Sequence, residues 1–528
     1  MKTNLTAEQS DYAVFLPAIS SFFSSYIGRQ RVEKYIPDDR MPDGIPEMEM
    51  LNFLNPVDGL YQYKWGLYSA GHCNLKNFRD PKELMIQDRD PSSTIVTDSG
   101  GFQIGKGVWK GKWNDPSDPQ AEEHRSRVLE WICQTGDYSM ILDVPSWICN
   151  NKELAEETGI KTFADAVSAT KYNNEYFIKN KTGDVKFLNV LHGGITEDSE
   201  VWYQEMKQFC DPSKYKNHFG GWAMGAKNVK DFRVMIIRLL DIIYDGLLES
   251  GVQDWIHVLG TSKLESALIL TDIQRAIRKY HNPTVTISFD CASPFLATAN
   301  GAIYSNVITD HGKKWSYRME AAADDKKYAT DNRKYSDAIL ADNIHKIFTD
   351  SPISDGLKIS DICWYKPGDL NKIQKEGKTS WDSFSYALMM AHNVWQHINA
   401  VQEGNMARDN GSIPKMLRHH KDGTTYTDMV EDVFSAKDKV SALKALDKYS
   451  VLFYQTYSRR NARSNENQIN GNFDGSDNIN PITKKEDPIE RVIKGLLDAN
   501  MDITDTISAF VNKEKKASII NTDEFEII

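Results

Sequence analysis

Short β-rich apolar runs alternate with stretches of helical period over most of the chain, and this alternation constrains the fold more than any other feature of the sequence. Eight such runs occur, at residues 13–16, 65–69, 94–97, 138–143, 186–191, 221–224, 255–259 and 285–290. Helical period is clearest at residues 126–134, 229–250 and 264–280. Eight strands with helices between them fit the α/β fold of a (β/α)8 barrel, a TIM barrel, better than an open sheet.

The sequence predicts further elements after the barrel, because 528 residues exceed the roughly 250 to 300 at which one hydrophobic core stops growing. We expect the barrel, with insertions, over residues 1–400 and a helical C-terminal extension over 401–463. Residues 381–403 have the period of one long helix, and residues 427–463 of one or two more. Residues 464–483 are rich in Asn, Asp, Gly and Ser, which predicts a flexible linker before a short helical tail at 484–528.

Composition excludes several classes of protein. The chain has 63 Lys and Arg against 74 Asp and Glu, a net charge of −11, so any polyanion must be bound by locally gathered cations. No apolar stretch approaches the roughly 18 residues of a membrane span, and the N-terminus lacks a signal-peptide pattern, which predicts a cytoplasmic protein without a membrane partner. The six cysteines form no CxxC pair, and no glycine-rich phosphate loop is present, so we expect no disulfides, metal, redox cofactor or nucleotide energy source.

Conspicuous polar and glycine residues fall where the apolar runs end, which in a barrel is the C-terminal rim that carries active sites. Asp98 ends one run in the string TDSGGFQ, and Asp290 ends another in FDCASP. A lone aspartate at a strand end is more often a helix cap or a turn former. Two of them before small-residue turns on one rim favour exchange at a glycosidic carbon, in which one carboxylate attacks the anomeric centre and the other moves protons.

The strings TDSGGFQ, LHGG, GGWAMG, LGT, and FDCASP followed by ANG occur in the order and spacing of the guanine transglycosylases. Over residues 12–399 the chain therefore resembles the tRNA-guanine transglycosylase family. The resemblance implies a pentosyltransferase that exchanges bases at C1′. It assigns Asp290 as the nucleophile that expels guanine, and Asp98 as the second catalytic aspartate, which acts in proton transfer when the incoming base displaces the enzyme.

The resemblance also implies a base pocket. Asp143 matches the aspartate that accepts hydrogen bonds from the N1/N2 edge of guanine-like bases, and Phe102 matches the aromatic residue that packs against the base. His192 stands where the tRNA enzymes have a glutamine that reaches the base carbonyl, and His257 where they have a methionine over the base. Either histidine can instead be structural. The implied lining of the pocket comprises Gln103, Gly193, Gly194, Gly220, Gly221 and Trp222.

Three departures point away from the tRNA enzymes. Their zinc motif, CxCxxC plus His, is reduced to Cys363 in residues 361–370, so no zinc is expected, and their basic PTR motif reads Pro294-Phe295-Leu296. The carboxylate that ends their GLAVGE motif, associated with an aminomethyl substituent, is Ala226 here, which predicts a neutral incoming base such as 7-cyano-7-deazaguanine or an amide derivative.

These departures resemble the DNA-directed branch, which inserts 7-deazaguanines into DNA and occurs in phages and bacterial modification islands. Richness in Asn, Lys, Asp and Tyr suits a phage gene, whose product would act in the host cytoplasm. The expected partners are DNA, a 7-deazaguanine base and, as a further hypothesis, a basic partner protein. The alternatives are the same chemistry on tRNA, as in queuosine or archaeosine formation, and a non-catalytic nucleic-acid-binding subunit.

Cations interleaved with aromatic residues follow both catalytic loops. The enzyme must extrude guanine from a duplex or bind it in a single strand. Interleaved cations and rings suit phosphate binding together with base stacking. A solvated loop over packed rings gives the same pattern. The predicted nucleic-acid-binding residues are Lys106, Lys110, Lys112, Lys313, Lys314 and Arg318, among Trp109, Trp113, Trp315 and Tyr317. Further basic clusters, which are more often solvated faces, are Lys415, Arg418, His419, His420 and Lys421, and Arg459, Arg460 and Arg463.

Overall fold

Eight parallel strands form the centre of the protein. The computed structural model describes residues 3–4, 11–34, 36–299, 301–322, 326–336, 350–364 and 382–453. The predicted linker, the predicted tail and the cluster of Arg459, Arg460 and Arg463 lie outside the described residues. The barrel strands are β1 Val14–Pro17, β2 Trp65–Ser69, β3 Thr94–Asp98, β4 Tyr138–Met140, β5 Lys186–Leu191, β6 Gly221–Met224, β7 Trp255–Val258 and β8 Thr286–Cys291.

The strands are ordered as a barrel. Each of β2 to β7 pairs with the next strand along the chain, and β8 pairs with both β7 and β1. The remaining gap, between β1 and β2, is bridged by Ala18 beside Leu67 and by the Ile19 N–H, which donates to the Leu67 carbonyl at 2.9 Å. The predicted (β/α)8 fold is therefore confirmed.

Helices surround these strands. They are α1 Ser21–Glu33, α2 Leu84–Gln87, α3 Gly101–Gly105, α4 Pro119–Thr135, α5 Lys152–Thr158, α6 Phe163–Asn180, α7 Thr196–Met206, α8 Lys227–Lys230, α9 Phe232–Tyr244, α10 Leu264–Tyr280, α11 Ser293–Ala299, α12 Ile359–Ile362, α13 Ser383–Asp409, α14 Tyr426–Phe434 and α15 Lys439–Lys448. Side-chain caps begin many of them. For example, Asp118 accepts from the N–H groups of Gln120 and Ala121 ahead of Pro119, a residue that suits the first helical turn.

The single helix predicted at residues 229–250 is wrong, because Asp231 interrupts it. The Asp231 carboxylate accepts from the Arg233 N–H at 3.0 Å and caps α9, so the segment divides into α8 and α9. The chain turns after Tyr244, and Gly246 has a φ of +71°. Apolar period alone does not locate such a break, because Asp231 lies on the polar side of the pattern.

The eighth position of the outer helical layer is filled by α13, which packs against α1 and α10. Between β8 and α13 the chain forms α11 and an antiparallel hairpin of β9 Ala302–Ile308 and β10 Ser316–Ala321. The predicted boundary at residue 400 falls inside α13. Beyond it, α14 packs on α10, and α15 packs on α9 and α14.

The barrel interior is filled by side chains from facing strands. Tyr138 of β4 and Trp255 of β7 stack with ring centroids 4.4 Å apart, and Phe15 of β1 packs against Phe289 of β8. Such a packed interior leaves the C-terminal rim as the place for ligands. Among the described residues, no helix is both long and apolar enough to cross a membrane.

Candidate active site

Three aspartates meet at the C-terminal rim of the barrel. Asp98 ends β3, Asp290 is the second-last residue of β8, and Asp143 follows β4. Burial raises the pKa of Asp98 to about 6, the Ser69 hydroxyl that donates to it at 2.7 Å opposes that rise, and the charges of Asp143 and Asp290 add to it. Since both charges act on Asp98, the three carboxylates lie near one another on this rim.

Asp290 is held at one of its two oxygens. Its Oδ1 accepts from the Gly260 N–H at 2.8 Å and lies 3.2 Å from Nε2 of His257. Its backbone carbonyl accepts from the Thr261 N–H at 2.7 Å, which fixes the strand end. The side chain of Asp290 is 13% exposed, so most of this side chain is buried. The other oxygen, Oδ2, has no hydrogen-bond partner among the described residues.

Asp143 is paired with His192 through a 2.5 Å contact between Oδ2 and Nε2. Each of these side chains is 11% exposed. Because Nε2 of His192 is bound to the aspartate, the predicted contact of His192 with a base carbonyl would have to use its other ring nitrogen, Nδ1. Gly101 lies directly below, where a Cβ would come within 2.4 Å of the Asp143 carbonyl oxygen, so only glycine fits there.

Two buried polar atoms beside these residues have no partner within the described part of the chain. They are Nδ1 of His192 and Oε1 of Gln103, whose residue is 4% exposed. Buried polar atoms are rarely left unpaired. A polar ligand bound beside Asp143 would give Nδ1 of His192 its missing partner, and the place of Gln103 in the pocket lining stays a prediction.

Phe102 of α3 lies at the mouth of the site with a second aromatic residue, Trp147. Their ring centroids are 6.0 Å apart, and the Lys106 ammonium lies 5.2 Å from the Phe102 ring. Trp147 packs on Gly105 but is 38% exposed, and no other tryptophan of the described residues is exposed to that extent. Trp147 was not predicted from the sequence, although a tryptophan four positions after Asp143 is a signal that could have identified it.

The placement of Gly220, Gly221 and Trp222 in the base pocket is wrong. Gly221 begins β6 beside Trp255, the first residue of β7, and so lies at the end of the barrel opposite the aspartates. Trp222 is fully buried, with its indole N–H donating to the Leu247 carbonyl in the helical layer. The string GGWAMG alone does not show which end of β6 lies at the rim, and its first three residues lie where the strand begins, at the other end.

The rim end of β6 is formed by Gly225 and Ala226 instead. A Cβ on Gly225 would lie 3.2 Å from the Leu191 carbonyl oxygen and 3.9 Å from the His192 ring, which places this glycine beside the base pocket. Ala226 has a φ of +49°, an uncommon backbone conformation for a residue with a side chain. Of the other predicted glycines, Gly193 closely approaches the first turn of α7, and Gly194 faces open space.

The rings after the Asp98 loop are packed rather than available for stacking. Trp109 is 8% exposed and stacks on His124 of α4, while Trp113 is 2% exposed. The two lysines between them are turned toward α5, where Lys110 pairs with Glu157 and Lys112 donates to the Glu156 carbonyl. The predicted stacking platform is therefore absent from this loop, and Lys106 is the cation that borders the site.

The hairpin after Asp290 is built in the same way. Trp315 is 1% exposed and Tyr317 6% exposed, so neither ring is available to a base. Arg318 pairs with Glu320 at 2.9 Å. By contrast, the Lys313 side chain is 71% exposed at the hairpin tip. Lys314 lies near Glu265 of α10, where its charge opposes the effect of burial, which raises the Glu265 pKa to about 7.

Within the described residues, no three His, Cys, Asp or Glu side chains are close enough together to hold a metal ion. Cys363 is buried, and residues 365–370 of the stretch matched to the zinc motif lie outside the described part. No family model matches the chain, and no curated protein matches it. The candidate site is therefore defined by its residues and their geometry.

Proposed function

We propose that this protein is a base-exchange glycosyltransferase that replaces guanine in DNA with a 7-deazaguanine through a covalent aspartyl intermediate. The observation that carries the proposal is the meeting of Asp98, Asp143 and Asp290 on one rim. One of these carboxylates has an unbound oxygen, and another has a pKa raised to about 6. Three such carboxylates can perform the three tasks of a glycosidic exchange, which are nucleophilic attack, proton transfer and recognition of the base.

In the first half of the reaction, Asp290 Oδ2 attacks C1′ of the target deoxyguanosine. The C1′–N9 bond breaks, its electron pair goes to guanine, and the Asp98 carboxyl group supplies the proton that the leaving base takes up. A carboxyl group with a pKa near 6 exchanges protons near neutral pH more readily than an ordinary aspartate. The products are free guanine and an ester between Asp290 and the sugar.

In the second half, N9 of the incoming base attacks C1′ of the ester. The bond from C1′ to Oδ2 breaks, its electron pair returns to the Asp290 carboxylate, and Asp98 accepts the N9 proton. Asp98 is then protonated again, so each exchange restores both carboxyl groups. The reaction needs no oxidant, energy source or external acid.

Asp143 gives the site its preference for guanine-like bases. Its Oδ1 and the remaining lone pair of Oδ2 accept from the N1–H and N2–H groups of the base, while His192 keeps the carboxylate in place. The segment after β6, residues 225–230, reads Gly-Ala-Lys-Asn-Val-Lys and holds no carboxylate for a cationic substituent, and the Asp231 carboxylate that follows it is engaged in capping α9. This absence of a counter-ion supports a base with a neutral 7-substituent.

The proposal is tested by nucleoside analysis of DNA and of tRNA from cells that express the protein and receive a 7-deazaguanine. The nitrile and aminomethyl forms of the base are supplied separately. We expect modified deoxyguanosine in DNA, more with the nitrile than with the amine, and none in cells that express Asp290→Ala. Modified tRNA without modified DNA contradicts the choice of DNA, and a preference for the amine contradicts the neutral base.

Asp184→Ala provides the matched control. Asp184 is an exposed aspartate in the turn before β5, at the end of the barrel opposite the site. Its removal changes the net charge by the same amount as Asp290→Ala and leaves the rim untouched. Modification that is lost in both variants would therefore reflect a general effect on the protein.

A further inference from the structure

His257 contacts Asp290, the nucleophile of the proposed reaction. Its Nε2 lies 3.2 Å from Oδ1 of Asp290, the same oxygen that accepts from the Gly260 N–H. His257 is fully buried, and no sequence motif assigns it this contact. The Gly260 N–H and the His257 ring thus both hold Oδ1, and Oδ2 is left to attack C1′.

A chain of hydrogen bonds across two strands fixes the histidine ring. Trp255 and His257 alternate along β7, and Ser288 and Asp290 alternate along β8, with Ser288 directly opposite His257. The Trp255 indole N–H, which can only donate, bonds to Ser288 Oγ at 2.8 Å, and this oxygen lies 2.9 Å from Nδ1 of His257.

The tautomer of His257 follows from this chain. Because Ser288 Oγ accepts from the indole, its own hydrogen is available to Nδ1 of His257. A neutral ring that accepts at Nδ1 carries its hydrogen on Nε2, and it donates that hydrogen to Asp290. The opposite tautomer would set two lone pairs against each other at 3.2 Å.

We propose that His257 is a positioning residue that aims Oδ2 of Asp290 at C1′ and stabilises the carboxylate when the covalent intermediate resolves. This role rests on the proposed function. When Oδ2 forms the ester, Oδ1 becomes its carbonyl oxygen and loses charge. When the C1′–Oδ2 bond breaks, negative charge returns to Oδ1, where two N–H donors meet it.

Formation and resolution of the covalent intermediate should depend on His257 to different degrees, which makes its role measurable. N–H donors stabilise the charge that develops on the carboxylate as it leaves C1′, whereas in formation they lower its nucleophilicity and help only by aiming Oδ2. Their loss therefore slows resolution more than formation. Hydrogen bonds to charged groups contribute about 1.5–3 kcal/mol, which corresponds to a roughly 10- to 100-fold slower resolution. Loss of a residue with a purely structural role would slow formation and resolution of the intermediate by the same factor.

The experiment follows the covalent adduct between the protein and a single-stranded DNA that carries the target guanine. Adduct is quantified on denaturing gels, and its resolution is timed after incoming base is added. We expect His257→Phe, which removes the donor, to accumulate adduct and to resolve it roughly 10- to 100-fold more slowly than the wild type. His257→Gln, whose side-chain amide keeps an N–H near the position of Nε2, should restore most of the resolution rate.

Ser288→Ala provides a second measurement that leaves both His257 and Asp290 in place. It removes the hydroxyl group that sets the tautomer and should slow resolution by a smaller factor. Equal slowing of formation and resolution in all three variants, or unchanged resolution in His257→Phe, would overturn the positioning role. If the wild type forms no adduct with DNA but forms one with tRNA, the choice of DNA fails while the role of His257 is tested on tRNA. Adduct with neither overturns both proposals.

Discussion

The pKa of Asp98 is the property of a single residue that most directly controls the proposed reaction. Burial raises that pKa to about 6, and the Ser69 hydroxyl limits the rise by donating to the ionised carboxylate. Asp98 must be ionised to accept the N9 proton of the incoming base. We therefore expect resolution of the adduct to accelerate with pH up to about 6 and to level off above it, measured as single-turnover rates.

Ser69→Ala should move this inflection to higher pH, because it removes a bond that favours the ionised form of Asp98. Ser139→Ala is the matched control. Ser139 is a buried serine on the neighbouring strand β4, and its hydroxyl bonds to backbone carbonyls rather than to Asp98. An inflection that stays in place in Ser69→Ala, or that persists in Asp98→Asn, would show that another group controls the profile.

At the level of residues, sequence predicted the three aspartates because each combines a strand end with a recognisable string. The same strings misplaced Gly220 and Gly221, since a motif matched by letters ignores which end of β6 faces the rim. Gly225, which the apolar run already placed at that rim, was the better choice. The contact between His257 and Asp290 could not be predicted, because it depends on the register of β7 against β8.

At the level of elements, the strands were well predicted and the loops were not. The runs at 65–69, 186–191 and 221–224 coincide with β2, β5 and β6, since side-chain period is a local property of a strand. By contrast, whether Trp109 and Trp113 contact solvent is decided by α4, which supplies His124 beneath them. A local pattern of lysines and tryptophans contains no information about that distant partner.

Two basic clusters that are about 100 residues apart in sequence form one surface. The Lys415 N–H donates to the Lys313 carbonyl at 2.8 Å, and Arg418 donates to His311 at 3.1 Å. Lys314 and Lys263 both lie near Glu265, in the first turn of α10, which follows the Gly260 loop that holds Asp290. We name this the hairpin basic surface, and it comprises Lys263, Lys313, Lys314, Lys415 and Arg418.

The hairpin basic surface is expected to bind the phosphates of the substrate strand. Each lost phosphate contact should lower the slope of log affinity against log salt by about one unit. We expect that decrease for Lys313→Ala and again for Lys415→Ala, measured by DNA binding over a series of salt concentrations. Asp310 pairs with Lys313 at 3.2 Å, but both side chains are more than half exposed, so this pair competes weakly with a phosphate.

Lys214→Ala is the control for this measurement. Lys214 is exposed in the loop before β6, at the opposite end of the barrel, and its removal changes the net charge equally. The slope should stay at its wild-type value in this variant. Equal decreases in all three variants would indicate that affinity follows net charge rather than one surface.

At the level of the whole molecule, the net charge of −11 no longer argues against nucleic acid. Among the described residues, the cations that border the rim include Lys106 beside Phe102 and the hairpin basic surface beside α10. An acidic molecule with a local basic surface is expected to have weak sequence-independent affinity for DNA. Its proposed specificity must then come from the base pocket.

The hairpin basic surface exists only while the extension stays docked on the barrel, and one buried ion pair joins them. Arg408 of α13 donates to Asp272 of α10, and the Thr427 hydroxyl of α14 donates to the same carboxylate at 2.7 Å. Both charged side chains are 6% exposed. Burial raises the pKa of Asp272 despite the nearby arginine. Removing one partner would therefore leave a buried charged group without its ion-pair partner.

Arg408→Ala should lower the free energy of unfolding by about 3–5 kcal/mol, because Asp272 then stays buried without its cation. The apolar replacement of both partners, Arg408→Met with Asp272→Leu, should recover most of that loss, since no unpaired charge remains. Lys279→Ala is the control, because Lys279 and Glu431 join the same α10 and α14 with side chains 59% and 48% exposed. Lys279→Ala should lower the free energy of unfolding by less than about 1 kcal/mol. Denaturant unfolding measures all three, and a double variant no more stable than Arg408→Ala would mean that lost packing, not the unpaired charge, destabilises the interface.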